Sequence, residues 1–119
     1  MSACFQPETI RRLSDASYSD FDARVKETPE ALCAPFREHA GKLLEGLVSI
    51  YRMVVMACKA EEDINVVASF WREMVASCDK YMIGIEELCK AHPYCSAGDY
   101  RDKVLDLRNT CQRLQTLHS

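Results

Sequence analysis

Apolar residues recur in steps of three and four along the middle of this 119-residue chain, and this period constrains the fold more than any other feature. Two successive stretches show it, separated by the short polar run from Lys59 to Asp63. They carry Phe36, Ala40, Leu43, Leu47, Ile50, Val54 and Cys58, then Ile64, Val67, Trp71, Met74, Cys78, Met82, Ile85 and Cys89. Such steps align side chains on one face of an α-helix, so residues 29–92 are predicted to form a helical hairpin with an apolar seam on each helix.

Capping and breaking signals set the predicted helix ends. The run at 28–30, Thr-Pro-Glu, combines an N-cap hydroxyl, a first-turn proline and an acid, which favours a helix start. Pro35 lies beyond that first turn, so either a kink or a separate opening turn before Phe36 is expected. Pro93 ends the second hairpin helix near His92. A last helix is predicted from about Asp99 to Leu117, with inward-facing Tyr100, Val104, Leu107, Cys111 and Leu114.

The beginning of the chain has weaker signals. Residues 1–6 are expected to be loose, and the run 14–20, rich in serine and aspartate, is expected to break a helix because these side chains compete for backbone hydrogen bonds. A short helix would then run from Asp20 to about Glu27. The resulting prediction is one all-α domain spanning residues 1–119: an up-and-down antiparallel helical bundle of three main helices and a shorter N-terminal helical segment.

Composition narrows the function classes. The net charge is −3 and no basic stripe gathers on one face, which argues against nucleic-acid binding. The most apolar run, residues 43–58, is interrupted by Glu45 and Arg52 and is shorter than the roughly 20 residues of a membrane span. The N-terminus shows no apolar leader, so the predicted location is cytoplasmic, with the seven cysteines as free thiols.

The cysteine positions can be compared across the predicted turns. An antiparallel turn centred near Glu61 puts Cys33 level with Cys89, and a second turn centred near Cys95 puts Cys78 beside Cys111. The favoured interpretation is that these are buried core thiols, since free cysteine behaves as a small hydrophobe, and no cofactor is expected.

A metal- or redox-responsive site that uses Cys33, Cys89 and Cys95 is the alternative interpretation of one end of the bundle. The same antiparallel alignment brings four potential ligands to that end: Cys33, Cys89, His92 and Cys95. Three cysteines with one histidine form a ligand set that zinc accepts. Pro93 lies inside this group, and the spacing of Cys89, His92 and Cys95 is not that of a familiar zinc motif.

His39 is the candidate for catalysis, since it lies at the edge of the apolar arc with Lys42 three residues on. The run His39-Ala40-Gly41-Lys42 resembles the motif of histidine phosphotransfer domains, which are helical bundles of similar size. In that family a glycine follows the lysine directly, whereas Leu43 stands here. The resemblance implies that His39 is an exposed phosphoacceptor and that a receiver or kinase domain is the partner. The alternative is a partly exposed histidine at the edge of the apolar arc, with no part in catalysis.

Large apolar residues outside the seams suggest a contact surface. Met53, Met56, Val66, Ile83 and Leu105 all point away from the seam of their helix at 100° per residue. Val66 is expected beside Met56 near the hairpin tip, where clustered apolar side chains indicate an interface. The alternative is that the shorter N-terminal helix covers some of these residues within one chain. The preferred hypothesis is therefore a non-enzymatic protein that contacts another protein or itself, as a homodimer, through Met53, Met56 and Val66.

Overall fold

A computed structural model describes residues 5–29, 31–93 and 98–117 as four α-helices. They are α1 (Pro7–Glu27), α2 (Cys33–Ala60), α3 (Ile64–Ala91) and α4 (Gly98–Leu117), and these residue ranges contain no strand. Consecutive helices are antiparallel, because residues early in one contact residues late in the next. The fold is the predicted all-α, up-and-down helical bundle. No helix in the described ranges is long and apolar enough to cross a membrane.

The α2–α3 pair lies at the centre of the bundle. Helix α1 packs against both α2 and α3, and so does α4, but α1 and α4 do not touch within the part of the chain described. They therefore lie on opposite sides of the central pair. This arrangement makes the molecule flat, with Cα extents of 50 × 25 × 15 Å, and surrounds α3 with three neighbouring helices.

Two contacts confirm the predicted levels of the antiparallel pairs. The rings of Tyr51 and Trp71 lie 5.8 Å apart across the α2–α3 hairpin. Across α3 and α4, the buried thiols of Cys78 and Cys111 are hydrogen-bonded. The short turn is also as predicted, with Asp63 capping α3 by accepting a hydrogen bond from the Asn65 backbone N–H at 2.9 Å.

The seam of α2 is confirmed from Phe36 to Val54, and its six residues in that range are all buried. The α3 seam is buried at Val67, Trp71, Met74, Cys78 and Ile85, whereas Met82 and Cys89 are half-buried. Ile64 was placed in the seam wrongly, for its side chain is 57% exposed. As the first residue of α3 it stands at the end of the bundle, where the neighbouring α2 has already stopped at Ala60.

Helix α3 has a second buried stripe, which the sequence analysis did not predict. It comprises Phe70, Ser77, Tyr81, Gly84 and Leu88. This stripe faces α1, since Phe5 packs edge-on against Phe70 at 5.3 Å between ring centroids and Tyr18 lies 6.5 Å from Tyr81. The large residues of this stripe have helical spacing in the sequence. The predicted break in α1, however, left no helix for them to pack against.

Helix α1 is continuous through the run at 14–20, so the predicted break is wrong. Tertiary burial overrides the local preference, because Ser14 is 2% exposed and Tyr81 Oη donates to the Ser14 carbonyl oxygen at 3.4 Å. Phe5 and Gln6 are also placed, rather than loose, and the Gln6 backbone N–H donates to Thr9 Oγ1. The rest of the predicted loose start, residues 1–4, lies outside the described residues.

The α1–α2 connection corrects the predicted start of the hairpin. Thr28 does not begin α2; it ends α1, and its Oγ1 donates to the Arg24 carbonyl oxygen at 2.7 Å. The Leu32 backbone N–H donates to the Pro29 carbonyl at 3.1 Å, which closes a separate turn, and α2 starts at Cys33. Pro35 thus falls in the first turn of α2, where a proline is tolerated, as the second predicted alternative required.

Candidate interaction surface

Met53 and Met56 lie on the outer face of α2, as predicted, one helical turn apart. Their side chains are 41% and 63% exposed, while Val54 between them is fully buried in the core. Position alone accounts for this contrast, since residues three apart share a helix face and the intervening residue points inward. Two adjacent exposed methionines offer a flexible apolar surface that adapts its shape to a partner.

The methionines line an open groove of about 530 Å³, here called the methionine groove. Its lining residues are Phe5, Ser49, Arg52, Met53, Met56 and Ala57. Phe5 forms one wall and is fixed there by its ring contact with Phe70 on α3. The groove is therefore a shallow, open feature that the segment before α1 and the last turns of α2 build together.

Phe5 is the lining residue that comes from outside α2. It precedes any periodic segment, so no pattern marked it as part of the fold. The groove also has a polar edge, because Arg52 is the charged residue among its lining side chains. An occupant would need an apolar surface for the methionines, while the exposed Arg52 guanidinium can stay in contact with water.

The other residues predicted for this face do not join the methionine groove. Val66 is half-buried and packs against the core, which contradicts its predicted position on the outer surface. The cause is that α3 contacts three helices, so its apolar arc extends past the predicted seam. Ile83 is 56% exposed, as predicted, but does not line the groove, and Leu105 is half-buried rather than on the outer surface.

His39 lies between α1 and α2 and contacts the end of α1. Its Nε2 is 2.8 Å from Thr28 Oγ1, and its Nδ1 is buried without a hydrogen-bond partner in the described residues. Because the Thr28 hydroxyl already donates its proton to the Arg24 carbonyl, His39 must donate from Nε2–H. Nδ1 is then the unprotonated nitrogen. Burial, followed by the positive charge of Arg24, lowers the pKa of His39.

This geometry differs from that expected of a phosphoacceptor. One ring nitrogen of His39 is engaged by Thr28 and the other is buried, so neither points freely into solvent. Lys42 pairs with Glu38 at 3.3 Å on its own helix. The small space beside His39 measures about 70 Å³ and is lined by residues of α1 and α2. The imidazole therefore links these two helices.

The four candidate metal ligands do not form a set in the described structure. Cys33 is disulfide-bonded, which takes its thiolate away from any metal and shows that the expectation of free thiols is wrong at this position. His92 stacks on Phe36 with ring centroids 4.2 Å apart, and Cys89 is a half-buried free thiol. Cys95 lies outside the described residues. Among the residues that are described, no three metal-binding side chains come together.

The core-thiol interpretation is confirmed for Cys78 and Cys111, which are both free and fully buried. The hydrogen bond between them, together with burial, raises the pKa of Cys78 strongly. Burial raises the pKa of the half-buried Cys58 to about 11. A raised pKa disfavours the reactive thiolate form of Cys78 and Cys58.

No protein-family model, curated protein or solved structure matches this chain. Inferences about its function therefore depend on its own geometry.

Proposed function

We propose that this chain is a non-enzymatic helical protein that acts through protein–protein contact and associates with a second copy of itself through the methionine groove. The observation that carries the proposal is the exposure of Met53 and Met56 side by side in one shallow, open groove. Exposed large apolar side chains are common singly, but their combination in one groove is typical of interaction sites. Burying them against apolar atoms stabilises a complex by about 25 cal/mol per Å².

A second copy is the occupant because the surface is self-complementary. If two α2 helices cross in antiparallel fashion between positions 53 and 56, Met53 of one copy meets Met56 of the other. Such a contact is isologous, and a twofold axis closes it as a dimer. Arg52 stands beside the methionines and remains at the wetter rim, where a charge needs no buried partner.

The size of the groove predicts weak association. A stable dimer buries about 800 Å² on each partner, and two methionines supply only part of that area. Monomer and dimer should therefore exchange with a dissociation constant in roughly the micromolar range, which corresponds to about −8 kcal/mol.

Sedimentation velocity at two protein concentrations tests the proposal. The wild-type chain should gain mass with concentration, and the double variant Met53→Glu, Met56→Glu should remain at the mass of one chain. Ile83→Glu is the matched control, because Ile83 is similarly exposed on α3 but lies away from the groove. Val66 is unsuitable for this test, since a charge there would also disturb the core.

Circular dichroism of all three proteins establishes that their helix content is equal. A wild-type chain that stays monomeric at the higher concentration would contradict the proposal. So would equal loss of mass in the Ile83→Glu control.

The cytoplasmic location predicted from the sequence remains a prediction. The free thiols of Cys58, Cys78, Cys89 and Cys111 are compatible with a reducing compartment. The disulfide at Cys33 is instead a bond typical of oxidising compartments. Alkylation of the protein in its native source, followed by mass measurement with and without reductant, distinguishes the two.

A further inference from the structure

A second concave site lies between α1 and α3, on residues 18–26 and 84–92. These two helices run in the same direction, and each presents positions spaced by three, four and seven residues to the space between them. The Tyr18 ring takes the space above Gly84, but Ala91 has too little side chain to fill the rest, which leaves an opening of about 230 Å³. This opening is here called the α1–α3 cleft.

The base of the α1–α3 cleft is apolar. Phe21 and Leu88 are 5% and 4% exposed and close it from below, and Val25 adds a half-buried wall. The ring of Tyr18 bounds one end, against Gly84. A flat aromatic or branched aliphatic group would replace water over this base and gain the hydrophobic contribution of the area it covers.

The rim of the cleft has one uncompensated negative charge. Asp22 is paired with Lys26 at 2.8 Å, so these two charges largely cancel. Glu87 lies on the opposite rim and forms no ion pair or hydrogen bond with a described residue. The negative charge of Glu87 acts on Tyr18 in the opposite wall. It is the second largest cause of the raised pKa of Tyr18, after burial.

We propose that the α1–α3 cleft binds a small organic monocation: a primary amine attached to an aryl or branched alkyl group. The ammonium group pairs with Glu87, and the apolar group lies on Phe21 and Leu88. The volume equals that of about seven or eight water molecules at about 30 Å³ each, which suits a ligand of about ten non-hydrogen atoms. A ligand of this size in an open cleft binds with a dissociation constant on the order of 1 mM.

Amide chemical-shift titration with 2-phenylethylamine tests the proposal on the full chain. 2-Phenylethanol has nearly the same shape without the charge, and phenylacetate has the opposite charge. The amine should shift amides within 18–26 and 84–91 and bind roughly threefold to fivefold more tightly than the alcohol, as expected for one solvent-accessible ion pair. Phenylacetate should bind more weakly than either.

Two variants locate the site. Glu87→Gln should remove the preference for the amine over the alcohol while leaving alcohol binding unchanged. Ala91→Leu fills one end of the cleft and should weaken both ligands, whereas Ala76→Leu, at an exposed alanine of α3 outside the cleft, should weaken neither. Absence of shifts at about 10 mM amine, roughly ten times the expected dissociation constant, would overturn the proposal. Equal preference in the wild type and in Glu87→Gln would also overturn it.

Discussion

The aromatic ring of Tyr18 lies so close to Gly84 that a β-carbon at position 84 would overlap it, with the Tyr18 hydroxyl oxygen only 2.9 Å from that carbon. Tyr18 is held from its other sides as well, with Lys80 Nζ 5.0 Å from the ring centroid and the Phe21 ring 6.0 Å away. The absence of a side chain at Gly84 is therefore what lets α1 approach α3 in this region.

Gly84→Ala is expected to destabilise the protein by about 1–3 kcal/mol, because a methyl group forced into a packed site displaces its neighbours. Gly41→Ala is the matched control. The added carbon there meets Tyr100 at 3.5 Å, an ordinary contact, so the better helix propensity of alanine should leave stability unchanged or raise it by up to about 1 kcal/mol. Urea denaturation measures both free energies of unfolding.

A double-mutant cycle assigns the effect to Tyr18. In a Tyr18→Ala background, Gly84→Ala should lose most of its cost because the ring is gone. Equal costs with and without the Tyr18 ring would show that the strain arises elsewhere in α3.

The sequence predicted the α2–α3 and α3–α4 pairs well because their registers follow from local information. Short connections force antiparallel neighbours, and the turn position then fixes which residues are level. Tyr51 with Trp71 and Cys78 with Cys111 are consequences of that geometry. The exposure of Met53 and Met56 followed in the same way from the period of a single helix.

The sequence could not predict contacts that depend on α1. Its serine-rich run favours a break locally, and only burial against α2 and α3 keeps it helical, with Ser17 packed at Gly46 and Ser14 below Tyr81. The predicted outer position of Val66 is wrong as well, since its side chain packs against the core. Threonine is a common N-cap residue, so Thr28 was expected to begin a helix. In the structure it ends the preceding helix instead.

The protein is expected to lose stability as the pH falls below about 6.5, through His39. The folded state lowers the pKa of His39 from its ordinary value of 6.5, so the unfolded chain takes up a proton first. Stability is then fully present above the unfolded pKa and decreases as the pH falls toward the folded pKa. Protonation would place a second N–H at the buried Nδ1, near the positive charges of Arg24 and Lys42.

His39→Gln should remove this component, since an amide does not titrate and can still donate to Thr28. The measurement is the free energy of unfolding of both proteins at several pH values between about 5 and 8, where histidine titrates. The difference between the two curves isolates His39 from His92. Parallel curves over this range would contradict the expected contribution.

Val66→Ala and Met56→Ala should separate a core residue from a surface one. Val66 packs against the core, so its loss should cost about 1 kcal/mol, given about 0.8 kcal/mol per buried methylene and its partial exposure. Met56 is 63% exposed, and its replacement should change stability by less than about 0.5 kcal/mol at concentrations where the chain is monomeric. Thermal unfolding in dilute solution compares them, and equal losses would show that Met56 is covered within one chain.

The free cysteines should react with iodoacetamide in an order set by burial. Cys78 and Cys111 are fully buried and hydrogen-bonded to each other, so their alkylation should require unfolding of the bundle. Cys58 is partly accessible, but with a pKa of about 11 only about one molecule in a thousand carries its thiolate near pH 8. Its rate should rise about tenfold for each pH unit up to that pKa, because the thiolate is the nucleophile.

Mass spectrometry of alkylated peptides follows each site in native protein, and the same reaction in denaturant gives the unprotected rates. The ratio of these rates for Cys78 should match the population of unfolded chain obtained from urea denaturation, because the helices must separate before the thiol is exposed. Fast native labelling of Cys78 or Cys111 would mean that α4 opens from α3 without global unfolding. The two thiols would then belong to a mobile contact rather than to the core.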